Sequence, residues 1–321
     1  MDIRILKAFI FIFLTMIGIP GNLYIIIQFF LIRVLEKRLL PSNIILLVLA
    51  FANLLIVCSR VIPQSLNALG IEDLMDNTNC KMSAYTYRVS RAMSICTTSL
   101  LSCHQCILIA PSTKIWVYLK QKVSHNISPI ILGILLMNLV IYRTSFMYGN
   151  ARSNNTSPYT LHLVYCDTDF QTYVSYIANG VVFASRDFLF VAMMALASFY
   201  IVYVLLRHEK TVKSIRSLNK AKSKSVEYKA SRAVILLVIC YVVFMGLDNS
   251  MWIYTLTLVN VKTDMNDARV VLACAYSAVS PFIIIVTNPR LQQCPLCRFW
   301  RRLQDLPSSS SFDIHLKHIS I

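Results

Sequence analysis

Charged residues and glycines are scarce in this sequence. Only 14% of its 321 residues are charged, and glycine occurs seven times, whereas soluble domains carry about a quarter charged residues. With a hydrophobic share of 56%, a soluble chain of this size would expose large apolar patches to water. The composition therefore excludes an ordinary soluble domain and favours a membrane protein. The net charge of +16 does not indicate nucleic acid, because a nucleic-acid-binding protein would be less apolar.

The residue sets of common enzymes are also missing. The sequence contains no Ser/His/Asp set, no glycine-rich phosphate loop and no cluster of metal ligands. Cys294 and Cys297 have the spacing of half a zinc site, but no second pair follows them. We therefore predict no catalysis, no metal and no cofactor. For these two cysteines, palmitoylation beside the membrane is the better prediction.

Seven apolar segments are long enough to cross a bilayer, which takes roughly 20 residues. The first is too long for a cleavable signal peptide and is predicted to be a membrane helix. We predict an all-α fold, with a seven-helix transmembrane bundle in residues 1–293 and a short tail in residues 294–321. The predicted spans are 9–32, 44–69, 82–109, 127–148, 173–206, 233–258 and 270–288.

The basic residues give the orientation of the bundle. Of the 31 Lys and Arg residues, 20 lie in segments 33–41, 109–126, 207–232 and 290–321, which share one side of the membrane. Cytoplasmic loops are rich in Lys and Arg, so we predict an extracellular N-terminus and a cytoplasmic C-terminus. Asn154 and Asn155 begin overlapping glycosylation sequons in the loop between the fourth and fifth spans, on the predicted extracellular side.

Cys80 and Cys166 are the two cysteines on the predicted extracellular side. One precedes the third span and the other lies between the fourth and fifth. Because that side is oxidising, we predict a disulfide between them, with two free thiols as the alternative.

Several ionisable residues lie within the predicted spans. A charge inside a bilayer is costly unless it is paired or faces water, so each is a candidate functional residue. Arg88 and Arg91 share a helix face and lie roughly 12 and 16 Å from Cys80 along the third span. We predict that they contact an anionic ligand; the alternative is structural ion pairing or, near the interface, snorkelling. The remaining candidate ligand contacts are Arg60, Tyr85, Tyr87, Asp187 and Asp248.

Short motifs follow one another in order from the second to the seventh span. They are ANLL (52–55), SRVIPQ (59–64), RVSRAMS (88–94), CTTSLLS (96–102), APS (110–112), RDF (186–188), RH (207–208) and SPF (280–282). Together they resemble the vomeronasal type-1 receptors and related fish olfactory receptors, a branch of the rhodopsin-like superfamily. Asn53 stands where most rhodopsin-like receptors have a sodium-binding Asp, and Cys103-His104-Gln105 replaces Asp-Arg-Tyr.

The resemblance implies a plasma-membrane receptor of chemosensory neurons that binds a small pheromone or odorant. It also implies coupling to a heterotrimeric G protein of the inhibitory class, through the inner ends of the helices. The predicted coupling residues are His104, Gln105, Arg207 and Lys210. The alternatives are a bitter-taste-type receptor, which the 88–94 segment disfavours, and a small-anion transporter, for which internal repeats are missing.

Overall fold

The fold is a bundle of long helices with one small β-sheet, seen in a computed structural model. The structure describes residues 3–71, 75–111, 113–151, 160–162, 166–170, 172–214, 234–244, 246–248, 250–251 and 263–292. The predicted glycosylation sites Asn154 and Asn155, and the tail with Cys294 and Cys297, lie outside these residues. The helices are α1 (Ile3–Glu36), α2 (Pro41–Ile56), α3 (Ile62–Ala68), α4 (Asn77–Ile109), α5 (Lys114–His125), α6 (Ile127–Ile141), α7 (Arg143–Met147), α8 (Tyr173–Ser214), α9 (Val234–Asp248), α10 (Thr263–Thr287) and α11 (Pro289–Gln292).

Five of the described helices are long and apolar enough to cross a membrane. They are Ile5–Glu36, Pro41–Ala68, Asn77–Ile109, Tyr173–Arg207 and Asp267–Thr287. A sixth span results if α5 and α6, which meet at 66°, are taken as one broken helix. The remaining predicted span, 233–258, overlaps α9, a shorter apolar helix. The helical membrane protein is thus confirmed, while the count of seven spans and the sidedness of the termini stay predictions.

The outside of the bundle is apolar. Large hydrophobic side chains such as Phe188 and Val140, 75% and 74% exposed, point away from the protein. The main core instead joins residues of α1, α2, α4, α8, α9 and α10, including Ile25, Leu49 and Tyr276. A helix that is apolar on both its inner and outer faces is expected in lipid.

Two prolines shape the helices, and side chains from neighbouring helices replace the hydrogen bonds that they remove. Pro63 has no N–H to donate to the carbonyl of Ser59, four residues earlier. The Ser83 hydroxyl donates to this carbonyl instead, at 2.8 Å. Just before Pro63, the helix passes through a π segment at Val57–Val61. Pro281 likewise leaves the carbonyl of Ser277 free, and Asn22 Nδ2 donates to it at 3.0 Å. Satisfying such carbonyls is necessary where no water is available.

A three-stranded antiparallel sheet lies between α7 and α8, and it departs from the all-α prediction. Its strands are β1 (Gly149–Ala151), β2 (Thr160–His162) and β3 (Cys166–Asp169), in the order β1-β3-β2. The disulfide Cys80–Cys166, with Cα atoms 5.5 Å apart, ties β3 to the first turn of α4. The predicted disulfide is thus present, and we call this the disulfide end of the bundle.

Candidate functional site

Within the described residues, five arginines lie inside the bundle, in the half nearest the disulfide end. Arg60 is in the π segment after α2, Arg88 and Arg91 are on α4, Arg186 is on α8 and Arg269 is on α10. We call these residues the arginine cluster. Arg60 and Arg91 are within electrostatic range of both Arg88 and Arg269. The partners of each guanidinium determine which of these charges remain for a ligand.

Arg91 is bound to a carboxylate on another helix. Its Nη2 lies 3.1 Å from Asp248 Oδ2, and Arg269 Nε lies 3.7 Å from the other oxygen of that carboxylate. The side chain of Asp248 is only 7% exposed, so this shared carboxylate ties α4, α9 and α10 together. Arg91 and Asp248 thus form an interhelical ion pair, and their contact with a ligand stays a prediction.

Arg186 is compensated by its neighbour Asp187, with which it forms an ion pair. Arg186 Nη1 also donates to Asn138 Oδ1 at 2.6 Å, and its guanidinium lies 5.0 Å from the centre of the Tyr142 ring. The side chain of Arg186 is 7% exposed. These contacts join α8 to α6, so in this structure Asp187 serves a buried structural pair.

Arg60 and Arg88 are the members of the cluster without a carboxylate partner among the described residues. Arg60 lies 5.6 Å from the centre of the Tyr87 ring, and Arg88 lies 5.7 Å from that of Phe183. The Nε atom of Arg60 is buried and has no hydrogen-bond acceptor within the described parts of the chain. An aromatic ring attracts a cation without neutralising it, so these two residues retain their positive charge.

The two predicted tyrosines have different surroundings. Tyr87 packs against Arg60 of the arginine cluster, and its contact with a ligand stays a prediction. Tyr85 instead packs edge-to-face on Phe146 with centroids 6.1 Å apart, and its hydroxyl donates to the carbonyl of Leu139 at 3.1 Å. Tyr85 therefore contacts α6 and α7, and the structure gives it no described contact with the arginine cluster.

On the side of the arginine cluster away from the disulfide end, the helices are joined by hydrogen bonds between neutral side chains. Asn53 Nδ2 donates to the Ser280 hydroxyl at 2.9 Å, and the Ser94 hydroxyl donates to Asn53 Oδ1 at 2.8 Å. One turn further along α4, the hydroxyls of Thr98 and Tyr276 are 2.9 Å apart. We call Asn53, Ser94 and Ser280 the amide network; it connects α2, α4 and α10.

The predicted coupling residues on α4 lie at the far end of that helix and are buried. His104 and Gln105 are 3% and 6% exposed. Both side chains contact Ser42 at the start of α2, with His104 Nδ1 at 3.3 Å and Gln105 Nε2 at 3.5 Å from its hydroxyl oxygen. Arg207 is exposed on α8, and the side chain of Lys210 lies outside the described residues.

Sequence reasoning does not identify three members of the site: Arg186, Arg269 and Asn138. The predicted seventh span begins one residue after Arg269, which in the structure lies on α10 and shares Asp248 with Arg91. Asn138 lies within an apolar span, where a polar side chain is itself a signal of an interhelical contact.

Comparisons with known proteins place these features in a family. The profile of the family described as the vomeronasal organ pheromone receptor family matches residues 5–297. The olfactory receptor class A-like protein 1 of Danio rerio is 35% identical over 294 residues, which is 91% of this chain and 92% of that relative. The vomeronasal type-1 receptor 3 of Homo sapiens is 28% identical over 288 residues, 86% of this chain and 89% of its own length.

Proposed function

Because this chain belongs to the vomeronasal organ pheromone receptor family, and is thus a chemosensory membrane receptor, we propose that it recognises small organic anions and activates a G protein. It would lie in the plasma membrane of a chemosensory neuron, with the disulfide end outside and the basic loops in the cytoplasm. The observation that supports the ligand class is the surplus of arginine over carboxylate in the arginine cluster.

Arginines are in surplus because each nearby carboxylate is already paired with an arginine of the cluster. Asp187 compensates Arg186, and Asp248 is shared by Arg91 and Arg269. Arg60 and Arg88 retain their charge, and a charge at this depth is stabilised by an anion or by water. A carboxylate or sulfate of the ligand fits a guanidinium in a bidentate arrangement. Tyr87 and Phe183, which contact these two arginines, would pack on the apolar part of the ligand.

Ligand binding would act on the ion pair between α4 and α9. A second anion beside Arg91 competes with Asp248, so the ligand favours an arrangement in which this tie is weaker. A ligand can shift the balance between two arrangements only by its differential affinity for them. This ion pair would provide such a difference in affinity. It holds α4 and α9 together in one arrangement, whereas the anion would bind more tightly to the arrangement in which the pair is weaker.

The G protein would bind at the opposite end, near Arg207 and Lys210. His104 and Gln105 are buried against Ser42, so we propose that they act by holding α2 and α4 together rather than by direct contact. Coupling to the inhibitory class is proposed from the family resemblance alone.

The test is calcium imaging of cells that express the receptor with a promiscuous G protein. Carboxylates and sulfates are compared with neutral isosteres, and Arg88→Gln and Arg60→Gln with the unchanged receptor. Each loss of a charged hydrogen bond is expected to raise the EC50 of an anion about 10- to 100-fold. Lys81→Gln is the matched control, since Lys81 is on the same helix but lies against Gly149.

Two outcomes would contradict different parts of this proposal. A response confined to neutral or cationic compounds, unchanged in both variants, would contradict the anion proposal and leave the receptor. Transport of a labelled anion by the purified protein, without G-protein activation, would contradict the receptor mechanism itself.

A further inference from the structure

A second candidate site lies on the outer surface of the bundle, where α4 meets α6 and α7. It is a shallow crevice of about 290 Å³, lined by Met82, Tyr85, Arg143 and Phe146. Met82 and Phe146 are 51% and 40% exposed. We call it the Arg143 crevice. Its volume is near the lower limit of small-molecule pockets, so it suits part of a ligand whose remainder lies in the surroundings.

The crevice presents one cationic side chain, that of Arg143, beside an apolar wall. Arg143 has no carboxylate partner among the described residues, and its side chain is exposed. A guanidinium presents several donors in a fixed plane and binds phosphate oxygens through paired hydrogen bonds. The group it suits is therefore an anion with several oxygens attached to an apolar chain.

The apolar wall is held in place by contacts within the protein. Leu139 lies in the last turn of α6, where a backbone carbonyl has no N–H of the same helix to accept from. The Tyr85 hydroxyl donates to the Leu139 carbonyl at 3.1 Å, and the Tyr85 ring packs edge-to-face on Phe146. With its hydroxyl engaged, Tyr85 offers the crevice its ring. The wall is thus fixed before any ligand binds.

The depth of the crevice matches the boundary between headgroups and hydrocarbon. At ~1.5 Å per residue, a transmembrane α4 centred in the bilayer puts Tyr85 roughly 12 Å and Met82 roughly 16 Å from the midplane. The hydrocarbon of one leaflet ends at roughly 15 Å from the midplane. A phosphodiester group and the first part of an acyl chain are the groups found at this depth.

We propose that the Arg143 crevice binds a membrane phospholipid of the leaflet at the disulfide end. The phosphodiester would accept hydrogen bonds from Arg143, and the upper acyl chain would pack on Met82 and Phe146. This site is separate from the arginine cluster, and its occupancy does not depend on the proposed signalling function.

The test is photo-crosslinking of the full chain in nanodiscs. The probe is phosphatidylcholine with a diazirine near the carbonyl end of one acyl chain, and the control probe is the corresponding diacylglycerol, which lacks the phosphate. Labelled peptides are mapped by mass spectrometry, and labelling of segments 82–85 and 143–147 is normalised to the lipid-facing residues Leu132 and Leu136. Arg143→Gln removes the charge, Arg143→Lys retains it, and Arg33→Gln removes a charge at the opposite end.

Phosphatidylcholine is expected to label the two segments at least threefold more than diacylglycerol, and Arg143→Gln should abolish that difference. Arg143→Lys should retain part of it, and Arg33→Gln should leave it unchanged. Equal labelling by the two probes, or full labelling of Arg143→Gln, would overturn the proposal and show that Arg143 only extends to the interface. An unchanged midpoint of thermal unfolding in each variant shows that a loss of labelling is not a loss of fold.

Discussion

The shared carboxylate of Asp248 allows a quantitative test of the arginine cluster. Asp248→Asn keeps the shape of the side chain and removes its charge, which leaves Arg91 and Arg269 without their common counter-ion. Removing one partner of a buried ion pair costs about 3–5 kcal/mol. Both arginine side chains are 24% exposed, so water can reach them and we expect the lower end of that range.

Arg91→Gln is expected to cost less. Asp248 then still has Arg269, although at the longer distance of 3.7 Å, so we expect a loss of about 1–2 kcal/mol. The double variant should lose less than the sum of the two single losses, because Asp248→Asn has already removed the ion pair that Arg91→Gln would break. Residues in direct contact show coupling of about 0.5–3 kcal/mol in such cycles.

The assay is thermal unfolding of the purified receptor in the presence of a thiol-reactive dye. Cys96 and Cys274 are buried free cysteines, so the dye reacts with them only when the bundle opens. The exposed Cys58 and the partly exposed Cys103, Cys106 and Cys240 contribute to the signal of the folded state. If the losses of the two single variants simply add in the double variant, Arg91 and Asp248 are not coupled, and the role assigned to this ion pair is wrong.

Two further stability predictions concern the contacts between helices. Gly21→Ala should destabilise the bundle by about 1–3 kcal/mol, because an added Cβ would lie 2.9 Å from Pro281 Cβ. The control is Gly133→Ala, which should be neutral or stabilising, because nothing lies within 4 Å of an added Cβ there. Equal effects of the two changes would contradict the close packing of α1 on α10. Asn53→Ala should cost about 1–3 kcal/mol through the two hydroxyls of the amide network, and adding Ser94→Ala should cost little more; a full second loss would show that the two side chains act independently. The same dye assay measures both.

The positions of the helices could be predicted from the sequence because the bilayer imposes a length. A run of apolar residues long enough to cross it has few alternatives, and all seven predicted segments overlap helices of the structure. The pairing of Cys80 with Cys166 was predictable for a related reason: topology left these two cysteines on one side of the membrane. Both inferences needed only the order of apolar and polar segments along the chain.

The partners of the arginines could not be predicted in this way. Arg88 and Arg91 are equivalent in the sequence, yet Arg91 contacts Asp248 and Arg88 contacts Phe183. The difference depends on how α8 and α9 pack against α4, which involves residues far away in the chain. The sheet was missed because its strands are only three or four residues long, and α5 because it carries lysines between short apolar groups.

The distribution of charged and neutral polar groups along the bundle bears on how a signal would cross it. The ion pairs of Arg91 and Arg186 lie on the disulfide side of the neutral bonds formed by the amide network and by Thr98 and Tyr276. Neutral hydrogen bonds between membrane helices contribute about 1 kcal/mol each, less than the cost of separating a buried ion pair. An anion that weakens the pair of Arg91 and Asp248 therefore removes the stronger constraint first. The weaker hydrogen bonds further along the bundle would then exchange partners as the helices shift, which is why we propose the arginine cluster as the place where a small ligand would act.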